Sequence, residues 1–198
     1  MGKKIIPEVP NPSREQVLSY LEEWDRQENY VLQEKALDKL FFETCPYNKD
    51  INDILVKASC LNDFYSTNIF SIFSVAKHIL NLDIDNRLMD NDYSLVDSIS
   101  KVNINGRELN FYSFASKYFS HHKPTVFPIY DSYVDKILRH FRKLDHFCDF
   151  QNDDLKNYKR FIDILNEFQS FYHLEDFNKK DLDRYLWQLG KRFYPNHY

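Results

Sequence analysis

A chain of 198 residues, 43% hydrophobic and 28% charged, is long enough for one substantial domain, and its formal net charge of −4 gives no overall attraction to nucleic acid. Its three glycines cannot supply a phosphate-binding loop or a dinucleotide-binding fingerprint, and its three dispersed cysteines make neither a disulfide framework nor a thiolate zinc or iron–sulfur site. No run of about 18 apolar residues suggests a membrane span, and the N-terminal MGKKIIPEVPNPS lacks the apolar core of a signal peptide, so a cytoplasmic protein is expected.

Residues 1–12 read as an irregular N-terminal arm. Ser13 and Gln16 then form an S-x-x-Q capping box ahead of Val17, Leu18, Leu21 and Trp24. A second helix carries Leu32, Ala36, Leu37, Leu40 and Phe41 and ends before Pro46. A third covers about 50–60, with Ile51, Ile54 and Leu55 inward. The longest is expected over about 62–80, with Tyr65, Ile69, Ile72, Phe73, Ala76 and Ile79 along one face. After the polar connection DIDNRLMDND, a short helix covers 93–100.

The next helix has the clearest segregation. Phe111, Phe114, Ala115, Tyr118 and Phe119 fall at i, i+3, i+4, i+7 and i+8, while Ser113, Ser116, Lys117 and Ser120 share the opposite face. A proline-bounded extended stretch follows. Asp131 then opens a helix that buries Val134, Ile137, Leu138 and Phe141 and exposes Lys136, Arg139, Arg142 and Lys143. Amphipathic helices around 155–172 and 181–189 close the chain. Without repeats, low-complexity tracts or long linkers, residues 1–198 read as one compact all-α domain.

Charge is unevenly spread. Between Lys101 and Lys143 there are eight Lys/Arg against three Asp/Glu, so the rest of the chain is strongly acidic. A basic segment of this kind suits a phosphate-binding surface, and the candidate contacts are Lys101, Arg107, Lys123, Lys136, Arg139, Arg142 and Lys143. A solvated helix face explains the same residues equally well. The adjacent His121 and His122 point apart on a helix and make a poor metal pair.

Three stretches together, YSFASKYF, FPIYDSYVDKIL and DLDRYLWQLGK, carry a resemblance. From about Asp53 to Leu189 the chain resembles the helix-hairpin-helix DNA glycosylase superfamily, nearest its 8-oxoguanine DNA glycosylase branch. The resemblance implies two helical lobes around a central cleft, and it places Asp131 at the family's essential aspartate. Ser113 falls at the position of the family's nucleophilic lysine, and Lys117 lies one turn further along the same face. Only Gly106 remains of the hairpin glycines. LNDFYSTNI sits where the family contacts the extruded base, which makes Tyr65 and Asn68 candidate base-pocket residues, with Tyr112 and Tyr130 as further aromatic candidates to stack on that base.

The implied chemistry is cleavage of an N-glycosidic bond in duplex DNA carrying a damaged or modified base. A fixed carboxylate stabilises the positive charge that develops on the sugar. With Ser113 at the lysine position, water is the expected nucleophile, so base release without efficient strand cleavage is expected. The catalytic candidates are Asp131, Lys117 and Ser113, with no metal or cofactor and a monomeric protein. Two other readings remain open, a non-catalytic nucleic-acid-binding protein of the same fold and a helical protein-interaction module.

Overall fold

The computed structural model describes residues 8–195. Its order is α1 (Arg14–Asp25), α2 (Glu28–Asp38) running on into a wider helical turn at Lys39–Thr44, α3 (Ile51–Phe64), α4 (Ile72–Leu82), α5 (Asp85–Met89) and α6 (Ser94–Ser100). A hairpin of β1 (Lys101–Ile104) and β2 (Arg107–Asn110) follows, and then α7 (Tyr112–His122), α8 (Ser132–Asp145), α9 (Tyr158–Phe171) and α10 (Lys179–Phe193). The protein is mostly helical. No described helix is long and apolar enough to cross a membrane.

Helix starts are written in short polar side chains that satisfy otherwise unpaired N–H groups. Ser13 accepts from Gln16 N, Asp50 from Asn52 N, Asp131 from Tyr133 N and Asn157 from Arg160 N. Asn178 and Asp181 form a reciprocal capping box at the start of α10. The box expected at α1 is only half made, because Gln16 turns its side-chain oxygen to the Tyr185 hydroxyl. The start of the N-terminal arm, residues 1–7, lies outside the described residues. Residues 8–12 have no regular structure, yet Val9 and Pro12 are buried against the core.

Two expectations need correction. The continuous helix over 62–80 is broken at 65–71. There Ser66 and Asn68 adopt left-handed backbone conformations, and the Asn62 side-chain Oδ1 accepts from Ile69 N and the Thr67 hydroxyl. An asparagine that offers the backbone a side-chain partner competes with helix continuation. The second correction is the hairpin at 101–110, paired from Lys101–Asn110 to Ile104–Arg107. Asn105 and Gly106, both at positive φ, form the two-residue turn that matches strand twist.

One contiguous core runs from Val9 to Leu189. Much of it is aromatic, with Phe119, Phe127, Tyr158, Phe161, Phe141 and Phe168 fully buried, each contributing about 1.5–3 kcal/mol by area removed from water. α7 is nearly wholly enclosed, packed by α3, α6 and the turn after α2. α10 lies along α8 and α1. Gly190 makes the α8 approach possible, since a Cβ there would sit 2.6 Å from Tyr133 Cβ and 2.7 Å from its carbonyl oxygen.

Candidate functional site

The serines of α7 have a structural task that their position on the polar face did not reveal. Ser113 Oγ donates to Tyr130 O at 3.1 Å, and Ser116 Oγ accepts from Tyr130 N at 3.0 Å. These bonds clip the extended stretch before α8 onto α7. The next residue, Asp131, is thereby fixed at the start of α8. Its Oδ1 accepts from Tyr133 N at 2.8 Å, which leaves Oδ2 directed at α7.

Lys117 meets it there. Its side chain is 3% exposed, its Nζ donates to Ser113 Oγ at 2.5 Å, and it stands 3.5 Å from Asp131 Oδ2. The ammonium also lies 5.2 Å from the centre of the Tyr65 ring. Burial lowers the Lys117 pKa, with Asp131 and Asp183 opposing the shift. The side chain therefore spans the one-turn offset from Ser113 that the sequence left open. The polar face of α7 looks into a cleft and not into bulk solvent.

That cleft has a volume of about 700 Å³. Lys117, Ser113 and Asp131 line it together with Tyr65, Tyr112 and Tyr130. Tyr65 OH is 2.9 Å from His121 Nε2, and burial, then the Lys180 charge, pushes His121 down to about 3, so this imidazole is neutral. The facing wall comes from α1, α2 and α10. Trp24, Tyr30 and Trp187 pack on one another there, and the Lys191 ammonium rests 4.9 Å from the Tyr30 ring and 4.7 Å from Trp187. Glu34 pairs with both Lys180 and Arg184. Asp183 completes this wall. Burial raises its pKa to about 8, with the Asp131 charge adding to the effect.

Six of the residues singled out from sequence, Ser113, Lys117, Asp131, Tyr65, Tyr112 and Tyr130, are thus brought together. Asn68 is not: it is exposed and outside the cleft lining, which takes its neighbours Ser66 and Thr67 instead. None of the seven candidate phosphate contacts lines the cleft. Lys123 is bonded to Met89 O and Asn91, Arg139 to Asp135, and Arg142 to Phe150 O and Asn152. Lys136 bonds Tyr194 O and lies over the Tyr133 ring. Lys101 and Arg107 are exposed on the hairpin, whose last residue Asn110 reaches the cleft rim, and Lys143 is exposed on α8. The face of α10 bearing Lys180, Asp183, Arg184, Trp187 and Lys191 was not singled out. Its i, i+4, i+7, i+11 run of cations around a tryptophan was the available signal.

The chain belongs to the family whose model is HI_0787_N, N-terminal domain, which matches residues 16–126. It is also 50% identical over 146 residues to a Haemophilus influenzae protein described as an uncharacterized protein, covering 73% of this chain and 70% of that one. No solved structure matches it. The family match includes Lys117 and ends just before the extended stretch that carries Asp131.

Proposed function

We propose that the cleft accepts a nucleotide extruded from DNA and cleaves its N-glycosidic bond, with Asp131 stabilising the developing sugar cation. The observation that carries this reading is the buried Lys117 amine held 3.5 Å from the Asp131 carboxylate in a cleft walled by tyrosines and tryptophans. A cationic transition state needs a carboxylate whose position is fixed before the reaction, and Asp131 is fixed by its cap bond and by the Ser113 and Ser116 clips. Aromatic rings give an extruded base a surface on which to stack. The resemblance of YSFASKYF and FPIYDSYVDKIL to helix-hairpin-helix glycosylases supports the same chemistry.

The Lys117 contact favours a second route to the product beside attack by water. Burial raises the neutral fraction of the amine, and a neutral amine at this place is a nucleophile for the sugar carbon. In that route the C1′–Nζ bond forms as the C1′–base bond breaks, and the bonding pair leaves with the base. Incubation with duplexes carrying a panel of modified bases, with released base read by mass spectrometry, tests the reaction class. Release of one base or more is expected, and no release from any duplex would leave the cleft as a binding site only.

A further inference from the structure

We infer that Asp183 is the proton donor to the departing base, acting from the α10 wall of the cleft that also holds the Lys117–Asp131 pair. The inference rests on the glycosidic reading above and assigns a residue that this reading does not use. Its basis is a contrast among the charged groups of the cleft. Lys117 is bonded to Ser113 and paired with Asp131, Asp131 also caps α8, and Glu34 holds Lys180 and Arg184. Lys191 is bonded to the Tyr30 hydroxyl. The Asp183 carboxyl lines the same cleft with no hydrogen bond or ion pair to any described residue. The side chain is half-buried, so its carboxyl is open to whatever occupies the cleft.

Its surroundings set its protonation. The groups that face it are Asp131 at the start of α8, Lys117 on α7, Glu34 on α2 and Arg184 on α10, with Tyr65 after α3 and Tyr158 on α9 also within its field. Burial and the Asp131 and Glu34 carboxylates favour the neutral acid more than Lys117 and Arg184 oppose it, and Asp183 stays protonated up to about pH 8. Of the three carboxyls that line the cleft, Asp131 is paired with the amine, Glu34 with Lys180 and Arg184, and Asp183 is left to hold a proton. That division is how one site runs acid chemistry and charge stabilisation together. Trp187 lies one turn further along the same face of α10, so a base stacked against it lies within reach of the Asp183 carboxyl.

The step balances without any further reactant. As the C1′–N bond breaks, its electron pair moves into the base, and the Asp183 O–H proton goes to a ring nitrogen or exocyclic oxygen of that base. The base departs neutral and Asp183 becomes a carboxylate. C1′ is taken by the Lys117 amine or by a water, and the proton released on that side returns the Asp183 carboxylate to the acid on turnover.

Leaving groups that differ in their need for a proton test this directly. Duplexes carrying 8-oxoguanine, hypoxanthine or uracil present neutral bases that leave as anions unless protonated. A duplex carrying 7-methylguanine presents a cationic base that leaves neutral. Single-turnover base release is compared for the wild type and for Asp183→Asn, which keeps the side-chain shape, with circular dichroism to check folding.

The expected result is a loss of about 10²–10⁴-fold on the neutral bases in Asp183→Asn, the usual contribution of a positioned acid. Release of 7-methylguanine should change by less than a few fold. The wild-type rate on neutral bases should also fall above about pH 8, and that limb should be missing from the variant. Equal losses on all four duplexes, or no loss on any, would overturn the assignment. So would release of 7-methylguanine alone by the wild type. If the wild type releases none of the four, the glycosidic reading fails on these substrates and this role fails with it.

Discussion

Lys117 Nζ and Asp131 Oδ2 stand 3.5 Å apart, although one belongs to the middle of α7 and the other caps α8. The pair exists because Ser113 and Ser116 grip both backbone groups of Tyr130, which delivers the next residue to the lysine. An amine and a carboxylate from two helices are thus set side by side by the Ser113 and Ser116 bonds to Tyr130.

Borohydride trapping decides how Lys117 participates. With its amine in the cleft and its pKa lowered by burial, reduction during turnover should leave a covalent protein–DNA adduct. The adduct should vanish in Lys117→Gln. Base release without any adduct would assign the attack to water, the route expected from the resemblance, which puts Ser113 where helix-hairpin-helix glycosylases carry a lysine.

Gly190→Ala tests whether the α8–α10 contact holds the site in shape. Alanine gains up to ~1 kcal/mol in helix propensity. A Cβ within 2.6 Å of Tyr133 Cβ opposes this through overpacking, at about 1–3 kcal/mol. The variant should melt at lower temperature and lose activity as well, since Tyr133 N is the group that Asp131 caps. A raised melting temperature with full activity would contradict the contact.

Lys57 predicts a pH effect on stability away from the cleft. It is fully buried, donating to Tyr47 O and Asn48 Oδ1 with no ion pair to a described carboxylate, and burial, only partly opposed by the Asp85 charge, lowers it to about 8 from 10.5. Between those values the unfolded chain binds more protons than the folded one, so stability rises with pH in that window. Below about pH 8 the penalty is fully present and amounts to roughly 3 kcal/mol. Lys57→Met should therefore be at its most favourable relative to wild type near pH 7, and that advantage should shrink by pH 10. A stability difference independent of pH, measured by denaturant unfolding, would contradict the buried cation.

Phosphate contacts should fall on the cations that the fold leaves beside the cleft. Lys101 and Arg107 on the exposed hairpin and Lys191 at the cleft wall are the expected ones, and each reversal to Glu should reduce the salt dependence of DNA binding by about one phosphate. Arg142 holds Phe150 O and Asn152, so its reversal should lower stability and leave the salt slope unchanged. Insensitivity to the first three reversals would remove the hairpin and α10 from the interface.

The helices were legible where a cap met an apolar period, as at Ser13, Asp131 and the α7 stripe. The interruption after α3 was hidden because Ile69, Ile72, Phe73 and Ala76 keep a helical period across a turn that Asn62 makes with its side chain. The hairpin had its signal in Asn105-Gly106, overlooked because helical periodicity dominated its surroundings. In the site, the register of Asp131 and Lys117 was readable from spacing. The burial of Lys117 was not, since a lysine on a serine-rich face looks solvated until another helix closes over it. Asp183 reads as an ordinary acid near a helix start, and only the packing of α10 along α8 and α1 brings it to the cleft.

The most direct measurement is base release from the modified-duplex panel by wild type and Asp131→Asn, read by mass spectrometry beside a thermal melt. Asparagine keeps the oxygen that caps Tyr133 N, so the fold should persist. Lys117 loses its carboxylate, at a cost of about 1–3 kcal/mol, because the buried amine can release its proton in place of remaining an unpaired charge. The expected result is release by the wild type that collapses in a folded Asp131→Asn. Undiminished release by that variant, or no release by the wild type from any duplex, would contradict N-glycosidic cleavage centred on Asp131.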